Sequence, residues 1–423
     1  MSDIKTCYLL VGFSVAGWWC ARTIREKDKE NKIVAVTKDN NLYSPPLITY
    51  FLGKKVDSIG YSPQWLTNLK VELVCGEVKK LDRKNNRFIL SNGESFVFEK
   101  ALITTGGLPI VPPIPNQETN GVFTLTTQQD MQKVSEFVKS QKAERVTILG
   151  GGFIGIKTAE AFMELGLKVT IVELSNRLLQ NMLDEKGSYY LEEAFKRAGV
   201  EVLKENTITE FQAKDGKLVG ASLKSGKYLP GNLAVIAIGV RPNLDLLVDS
   251  GIKVNRGIIV DEFQQSQRPS IFAAGDVAET KNLITGERNI VAVWPEAVKQ
   301  GKIAGMNMAG NRVSYPGSLP VNSVSVGETT LVAAGLANPP SGDFEFLTEV
   351  ANNCYQKLVL KDDYLVGMVL VNKIEKAGIY INLIRQKSKV KSFKDRLLRK
   401  DFGMVNLPSE YRKHLVEGAS IEV

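Results

Sequence analysis

The chain has 423 residues, of which 43% are hydrophobic and 24% charged, a composition typical of globular proteins with roughly two to four domains. It has no apolar run of about eighteen residues, no signal-peptide pattern and no CxxC pair, which argues against a membrane span, secretion and a zinc or iron–sulfur centre. The net charge of +8 is compatible with an anionic partner or with a solvated, lysine-rich surface.

The first informative feature is a strand–turn–helix–strand pattern near the start of the chain. An apolar run at residues 7–11 leads into a turn at 12–17, a helical pattern reaching Ile24 and a second apolar run at 33–36. This succession is typical of a dinucleotide-binding unit, in which unpaired N–H groups at the start of the helix bind a pyrophosphate. Ser14 occupies the place of the middle glycine.

The end of the second apolar run departs further from the usual pattern. An acid usually binds the ribose there, whereas this chain has Thr37, followed by Lys38 and Asp39. Either Thr37 or backbone groups hold the ribose, or the unit has only a structural role. The motifs that come later in the chain favour a flavin site.

The segment after this unit is rich in β-type residues. Two apolar runs, at 88–90 and 96–98, flank Asn92 and Gly93, which predicts a β-hairpin. Prolines then cluster between residues 109 and 115, which indicates that the chain crosses from one domain to another.

The same pattern returns in complete form in the middle of the chain. A strand at residues 145–149, a turn at 150–155 and a helix ending near Gly166 precede a strand that ends at Glu173. Because a carboxylate there accepts hydrogen bonds from both ribose hydroxyls and repels a 2′-phosphate, this copy predicts an NAD site that prefers NADH. Arg177 is close by in the sequence and weakens that preference. The predicted ligands are Gly150, Gly152, Phe153, Ile154, Gly155 and Glu173.

Several further motifs resemble those of one family. They are Thr104–Pro109 and Ile238–Asn243 at two predicted domain crossings, Ile271–Asp276, the helix start Trp294–Ala297 with Gln300–Gly301 and Ala304–Gly305, and Tyr43–Leu47. In this order they resemble the two-dinucleotide-binding-domain flavoproteins, or pyridine nucleotide–disulfide oxidoreductase fold. The resemblance covers nearly the whole chain and is nearest to rubredoxin-reductase-like and nitrite-reductase-like members without the redox cysteine.

This resemblance implies an α/β fold with two Rossmann-like domains, which bind FAD and NAD(H), and an α+β C-terminal interface domain. The predicted domains are 1–113 with 253–316, then 114–252, then 317–423. The resemblance implies that Asp276 bonds the ribityl chain of the flavin, and it adds Ile238 and Gly239 to the NAD site. The implied FAD ligands are Gly12, Ser14, Val15, Ala16, Gly17, Thr37, Lys38, Ser44, Pro46, Val78, Thr105, Gly106, Gly275, Asp276, Pro295 and Glu296. No metal site is predicted.

The absence of certain residues narrows the implied activity. Disulfide reductases of this fold carry a cysteine pair after the first ribose position, and peroxidase-like members a single cysteine, but residues 39–52 contain none. Pro45 and Pro46 stand about where the single cysteine would be. The sole histidine, His414, is a poor match to an acid–base catalyst and is interpreted as a surface helix residue. The reduced flavin is therefore expected to pass its electrons on directly.

Lys157 is the one side chain predicted to have a catalytic role. Relatives often have a glutamate at this position, close to the nicotinamide, and a lysine there would stabilise negative charge on the reduced cofactor. The alternative is a surface lysine whose stem lies along the helix and whose ammonium group reaches solvent. The residues alone do not decide between the two.

The C-terminal segment 385–400 is strongly basic. It has eight lysines and arginines and one acid, Asp395. We predict that it binds an acidic one-electron carrier or an iron–sulfur subunit, because opposite charges attract such partners over long distances. The alternative is a solvated helix face or an internal contact. We further predict no nucleic-acid partner, no transmembrane segment, a cytoplasmic location, and either a homodimer or a hetero-oligomeric subunit.

The predicted function is that of an FAD-dependent oxidoreductase that transfers electrons between NADH and a one-electron protein acceptor. Rubredoxin, ferredoxin and an iron–sulfur subunit are the candidate acceptors, and the chain would act alone or as the FAD subunit of a larger complex. Two alternatives are kept: a stand-alone NADH oxidase that reduces oxygen, and a flavin-binding subunit without catalytic activity.

Overall fold

The computed structural model describes residues 3–38, 42–60, 67–409 and 411. His414 and Asp39 therefore lie outside the described residues. In chain order, the helices are α1 (Val15–Lys27), α2 (Ile48–Leu52), α3 (Gln128–Ser140), α4 (Phe153–Glu164), α5 (Glu185–Arg197), α6 (Trp294–Met308) and α7 (Ala377–Arg385). The strands are β1 (Ile4–Val11), β2 (Ile33–Thr37), β3 (Val71–Cys75), β4 (Val78–Asp82), β5 (Arg87–Leu90), β6 (Ser95–Ile103), β7 (Gly107–Pro109), β8 (Val122–Phe123), β9 (Arg145–Leu149), β10 (Lys168–Val172), β11 (Glu201–Leu203), β12 (Ile208–Lys214), β13 (Lys217–Leu223), β14 (Tyr228–Pro230), β15 (Ala234–Ile236), β16 (Val240–Pro242), β17 (Ile258–Ile259), β18 (Ile271–Ala273), β19 (Ala278–Lys281), β20 (Arg288–Asn289), β21 (Val321–Val326), β22 (Thr329–Gly335), β23 (Glu345–Ala351), β24 (Cys354–Lys361) and β25 (Tyr364–Val371).

The chain divides into two compact units. The first consists of residues 1–110, 126–131 and 240–318, and the second of residues 111–125, 132–239 and 319–423. The second unit therefore contains both the complete glycine turn and the C-terminal segment. The predicted boundaries of three domains stay a prediction.

The first unit is built around a seven-stranded sheet. Its strand order is β3-β2-β1-β6-β5-β4, with β18 also paired to β6. Side chains of β1 alternate between two cores: Leu9 and Val11 belong to one, and Tyr8 and Leu10 to the other. A parallel strand with both faces covered is apolar throughout, which is why this part of the sequence shows a continuous apolar run.

The carboxyl ends of five parallel strands of this sheet lie along one edge. β1, β2, β3, β6 and β18 run in the same direction. The turn at 12–17, the Thr37–Lys38 position and Gly275 each follow one of these strands. The predicted hairpin at Asn92–Gly93 is confirmed, since β5 and β6 pair antiparallel on either side of it. Ligands of open parallel sheets bind at such an edge.

The second unit repeats the parallel arrangement. Its five-stranded sheet has the order β11-β10-β9-β15-β8, and every pairing in it is parallel. Gly150 follows β9, and Glu173 follows β10. Two Rossmann-like sheets in one mixed α/β chain confirm the predicted fold class.

The C-terminal part of the second unit is an antiparallel sheet of five strands. Its order is β21-β22-β25-β24-β23, and α7 follows it. The basic segment 385–400 is not one continuous helix, because α7 ends at Arg385. Lys387 adopts φ +47°, which no right-handed helix allows, and Lys389 then forms an antiparallel bridge with Tyr364. A short 3₁₀ helix, Lys391–Arg396, follows.

Two classes of feature are absent from the part of the chain that the structure describes. None of its helices is long and apolar enough to cross a membrane. No group of three or more histidine, cysteine, aspartate or glutamate side chains in it is arranged to hold a metal ion. The cytoplasmic location stays a prediction.

Candidate functional site

The first glycine turn is shaped by two close backbone contacts. Gly12 has φ +93°, and a Cβ atom on it would overlap the carbonyl oxygen of Thr104. A Cβ atom on Gly17 would lie 2.5 Å from the carbonyl oxygen of Gly12. Thr104 Oγ1 also donates to that oxygen at 2.7 Å. These positions therefore accept only glycine, and the turn places the N-terminus of α1 at the carboxyl edge of the sheet.

The second glycine turn has the same construction. Gly150 has φ +116°, and a Cβ atom on it would lie 2.5 Å from the carbonyl oxygen of Ala237. A Cβ atom on Gly155 would overlap the carbonyl oxygen of Gly150. In the first turn the Gly12 amide donates at 2.8 Å to the carbonyl of Val36, the last residue but one of β2. In the second turn the Gly150 amide donates at 2.8 Å to the carbonyl of Val172, the last residue of β10.

Ser14 is compatible with a dinucleotide turn. It is the N-cap of α1, with φ −84° and ψ −156°, and the corresponding Gly152 has φ −78° and ψ −177°. A Cβ atom on Gly152 would meet nothing within 4 Å, so this position has room for a serine. The departure from the usual motif at Ser14 therefore has no steric cost in the chain itself.

Glu173 faces the second turn. Its Oε2 accepts a hydrogen bond from the Gly151 amide at 2.5 Å, and its Oε1 accepts one from the Ser175 amide at 2.7 Å. An ionised carboxylate accepts hydrogen bonds only, so it suits the two hydroxyl donors of a ribose. The carboxylate is thus held beside the helix N-terminus at which a pyrophosphate would bind.

Asp276 lies at the carboxyl edge of the first sheet, directly after Gly275. Gly275 has φ +77° and donates its amide to Gln300 Oε1 at 2.8 Å. Burial raises the pKa of Asp276 to about 6, and within the described ranges no group hydrogen-bonds to its carboxyl. A partly buried carboxyl group without a protein partner fits a cofactor that supplies a hydroxyl group.

The carboxylate of Glu296 already has hydrogen-bond donors within its own unit. Its carboxylate is 1% exposed and accepts hydrogen bonds from Tyr315 Oη and, at 3.0 Å, from Lys299 Nζ. The preceding Pro295 occupies the first turn of α6, where the missing N–H costs nothing. Roles of Pro295 and Glu296 in FAD binding stay predictions.

Helices α1 and α6 approach each other closely beside the first turn. A Cβ atom on Gly301 would overlap the carbonyl oxygen of Ala16, and one on Gly305 would lie 2.7 Å from that of Cys20. Gly275 is close to the same place, since its Cβ atom would lie 3.4 Å from Ala16 Cβ. The structure therefore brings the turn residues Val15, Ala16 and Gly17 together with Gly275.

Three more of the predicted FAD residues, Thr37, Lys38 and Val78, lie at or next to the ends of β2 and β4. Lys38 Nζ is 2.5 Å from Glu77 Oε1, an ion pair next to Val78 that the sequence did not predict. The amide of Gly76 donates to the Thr37 carbonyl at 2.8 Å, which holds β2 and β3 together at this edge.

The two segments predicted to cross between domains, at residues 104–109 and 238–243, pair with each other. β7 and β16 form an antiparallel ladder, and Thr105 Oγ1 donates to the Asn243 carbonyl at 2.7 Å. The Asn243 amide donates to the carbonyl of Gly106, which has φ +67°, at 2.9 Å. The predicted ligands Ser44 and Pro46 lie around a 3₁₀ turn, and the Ser44 amide is bonded to Ile59.

Three other predicted residues lie in the second unit beside its turn. Phe153 and Ile238 are 41% and 40% exposed, and Gly239 has φ +123°.

Lys157 is not the solvent-facing lysine of the alternative interpretation, because its side chain is only 11% exposed. Its Nζ lies 2.7 Å from Glu160 Oε2, one helical turn further along α4. Its predicted catalytic role stays a prediction.

Sequence reasoning missed several contacts at these sites. Thr104 and Gln300 stand inside recognised motifs, but their bonds to Gly12 and Gly275 join segments far apart in the chain. A polar residue inside an otherwise apolar or small-residue motif is the signal that could have indicated them. All four cysteines are free thiols.

Comparison with known proteins agrees with this geometry. Residues 7–301 match the family described as pyridine nucleotide-disulphide oxidoreductase. The NADH-dependent phenylglyoxylate dehydrogenase subunit epsilon of Aromatoleum evansii is 29% identical over 416 residues, which cover 93% of this chain and 94% of that protein. An NADH oxidase of Methanocaldococcus jannaschii is 28% identical over 340 residues, which cover 78% of this chain and 75% of that protein.

A solved structure extends the match to the whole fold. An NAD-dependent persulfide reductase from A. fulgidus aligns with a TM-score of 0.86 and 25% identity, over 92% of this chain and 78% of that chain. FAD and NAD(P)H are therefore the cofactors of this enzyme. The chain belongs to the pyridine nucleotide-disulphide oxidoreductase family.

Proposed function

We propose that this enzyme transfers electrons between NADH and a one-electron protein acceptor. The observation that supports this proposal is the pair of glycine turns with matching backbone in a chain that has no cysteine at residues 39–52. When bound, the nicotinamide and the flavin supply hydride transfer and the onward passage of electrons. The side chains of the protein bind and align the two cofactors.

The two turns are proposed to hold different cofactors. FAD would lie against the first turn, where no group in the described part of the chain hydrogen-bonds to the Asp276 carboxyl. NADH would lie against the second, where each carboxylate oxygen of Glu173 keeps its bond to the Gly151 or Ser175 amide and would accept a ribose hydroxyl with its second lone pair. Because a 2′-phosphate would meet the Glu173 carboxylate, NADH is preferred over NADPH.

A partner protein as electron acceptor is supported by one relative and by the charge of the surface. The relative that matches almost end to end is named as a subunit of an NADH-dependent dehydrogenase. Six basic side chains of the 385–400 segment are exposed: Lys387, Lys389, Lys391, Arg396, Arg399 and Lys400. Lys394 is instead paired with Glu345 at 2.9 Å. Such a surface attracts an acidic carrier at low salt.

Anaerobic stopped-flow absorbance tests the proposal. The FAD-loaded protein should bleach rapidly when mixed with NADH, and rubredoxin or ferredoxin should then restore the oxidised spectrum. Bleaching that is reversed only by air would reject the one-electron protein acceptor. Absence of bleaching would reject the second turn as a working NADH site.

The basic segment is tested by charge reversal. Changing Lys387, Lys389 and Lys391 to Glu should raise the KM for the acidic carrier about tenfold at low salt, and the difference should shrink as salt rises. The matched control changes the exposed Lys214, Lys217 and Lys224, which lie elsewhere in the same unit.

```
```

The two triple variants have the same net charge. An equal rise in KM for both would show that only the total charge matters, and an unchanged KM in the first would remove the segment from the docking surface.

A second candidate function is a stand-alone NADH oxidase. It is favoured by the similarity to a protein named NADH oxidase over 78% of this chain. Fast, NADH-dependent consumption of oxygen that added rubredoxin or ferredoxin leaves unchanged would favour this function over the proposed one.

A further inference from the structure

The C-terminal sheet contacts the second dinucleotide-binding region at a poorly exposed carboxylate, Asp184. We propose that Tyr355 and Lys357 of this sheet position the ribose carboxylate Glu173. They act through Asp184 and through the loop at residues 174–183. The inference rests on the NAD site of the proposed function, and it adds two positioning residues from a distant part of the chain.

Asp184 uses its two oxygens for different purposes. Oδ1 caps α5 by accepting a hydrogen bond from the Gly187 amide at 2.9 Å. Oδ2 accepts from Tyr355 Oη at 2.6 Å and lies 3.0 Å from Lys357 Nζ. The side chains of Asp184 and Lys357 are only 15% and 11% exposed. Burial, together with the bond to Asp184, raises the pKa of Tyr355, so its hydroxyl stays a donor. The charge-assisted bonds therefore fix the start of α5 against the sheet.

The loop that ends at Asp184 packs against the second glycine turn. The Leu179 amide donates to the Gly151 carbonyl at 2.9 Å, and the Leu178 side chain leaves no room for a Cβ atom on Gly151. Leu179 has φ +49°, which leucine rarely adopts, so its neighbours rather than its own preference hold the loop in place. In the first turn of α5, Ser188 Oγ donates to the Leu178 carbonyl at 2.6 Å.

Glu173 is bound by the same peptide segment of the turn. Gly151 holds the loop with its carbonyl and the Glu173 Oε2 atom with its amide, at 2.5 Å. A displacement of Asp184 would move the start of α5, and with it the Leu178–Leu179 contact. The orientation of Gly151, and so of the carboxylate, would follow.

ADP-ribose is a suitable probe because it carries the ribose and the pyrophosphate but cannot reduce the flavin. In the FAD-loaded full chain, Lys357→Met and Tyr355→Phe should each raise its Kd about three- to tenfold, measured by calorimetry. Lys357→Arg keeps the cation and should restore most of the affinity. Tyr355→Phe removes a single hydroxyl group, so it is the variant to rely on if Lys357→Met does not fold.

Arg197→Met is the matched control. Arg197 lies at the opposite end of α5, and its guanidinium donates to Thr329 Oγ1 of the same sheet at 3.0 Å. This variant also removes a contact between α5 and the sheet, but at a distance from the 174–183 loop. It should leave the Kd for ADP-ribose unchanged.

A double variant tests whether the sheet acts through Asp184. Asp184→Asn keeps a good N-cap residue but loses the ion pair, and adding Lys357→Met to it should raise the Kd no further. An unchanged Kd in both sheet variants, or an equal rise in Arg197→Met, would overturn the inference while leaving the NAD site in place. If the unaltered protein did not bind ADP-ribose, the proposed NAD site would be overturned, and the inference with it.

Discussion

The two glycine turns have a similar backbone and share their outer glycines, but they differ at the middle position and at the end of the strand that follows. The first and last glycines of each turn would bring a Cβ atom against a carbonyl oxygen, so the fold itself requires them. The middle position has open space and holds Ser14 in one turn and Gly152 in the other. The strand-end position holds Thr37 in the first and Glu173 in the second. The fold thus fixes the outer glycines and leaves the middle position free to vary, and we predict that the ligand selects the strand-end residue.

The largest expected effect separates these two kinds of position. Gly155→Ala should lower the free energy of unfolding by about 3 kcal/mol, because its Cβ atom would overlap the Gly150 carbonyl. Gly152→Ser should change it by no more than about 0.5 kcal/mol, since nothing lies within 4 Å of that Cβ position. Urea unfolding of both variants measures the difference. Equal losses would refute the division into fold and ligand positions.

Asp276 in the first unit and Glu173 in the second also differ in the hydrogen-bond partners of their carboxyl groups. Glu173 has two amide donors, whereas Asp276 has no protein partner in the part of the chain described. Burial raises the pKa of Asp276 from 3.8 to about 6. The folded state therefore binds the carboxyl proton of Asp276 more tightly than the unfolded chain does. Once the pH exceeds the folded-state pKa, the charged carboxylate destabilises the fold.

The sign of this effect gives a testable pH dependence. In flavin-free protein the cost of Asp276 is absent below pH 3.8, grows between pH 3.8 and 6, and is complete above pH 6. Asp276→Asn should therefore match the unaltered protein at pH 4 and exceed its free energy of unfolding by about 2 kcal/mol at pH 7. Comparing the two proteins cancels the contributions of other carboxyl groups. A difference that does not change with pH would contradict the buried, unpaired state of Asp276.

The strand-end difference predicts a change in cofactor choice. Glu173→Gln should weaken NADH binding about tenfold, because hydrogen bonds to a charged acceptor are worth roughly 1.5 kcal/mol or more. Binding of NADPH should weaken less, since the repulsion of its 2′-phosphate is also removed. Equilibrium titration of both nucleotides measures the ratio, with bound FAD as the control. An unchanged ratio would mean that Glu173 does not select the ribose.

Patterns within short stretches of sequence predicted much of the fold. The glycine turns, the strands around them and the hairpin at Asn92–Gly93 depend on neighbours in the chain, and all are present. The contacts of Asp184 with Lys357 and of Glu296 with Tyr315 could not be predicted, because they join separate elements. No local pattern specifies which distant side chain a buried carboxylate will meet.

The smallest expected effect concerns the residue two places after the last glycine of each turn. It is Trp19 in α1 and Lys157 in α4. Lys157 is mostly buried and paired with Glu160 at 2.7 Å. The Glu160 carboxylate would therefore screen the effect of the Lys157 charge on the flavin. Lys157→Met should therefore make the flavin potential more negative by only about 20 mV, on the scale of 30 mV per 1.4 kcal/mol for two electrons.

Glu160→Gln is the control for the direction of this small shift in the flavin potential. Removing the carboxylate lessens the screening of the Lys157 charge, so this variant should shift the flavin potential in the positive direction. Spectroelectrochemical titration of the FAD-loaded protein measures both shifts, and stopped-flow reduction by NADH measures the accompanying rates. If both variants keep the potential and the rate of the unaltered protein, the charge of Lys157 does not act on the flavin, and α4 contributes no charge to the reaction.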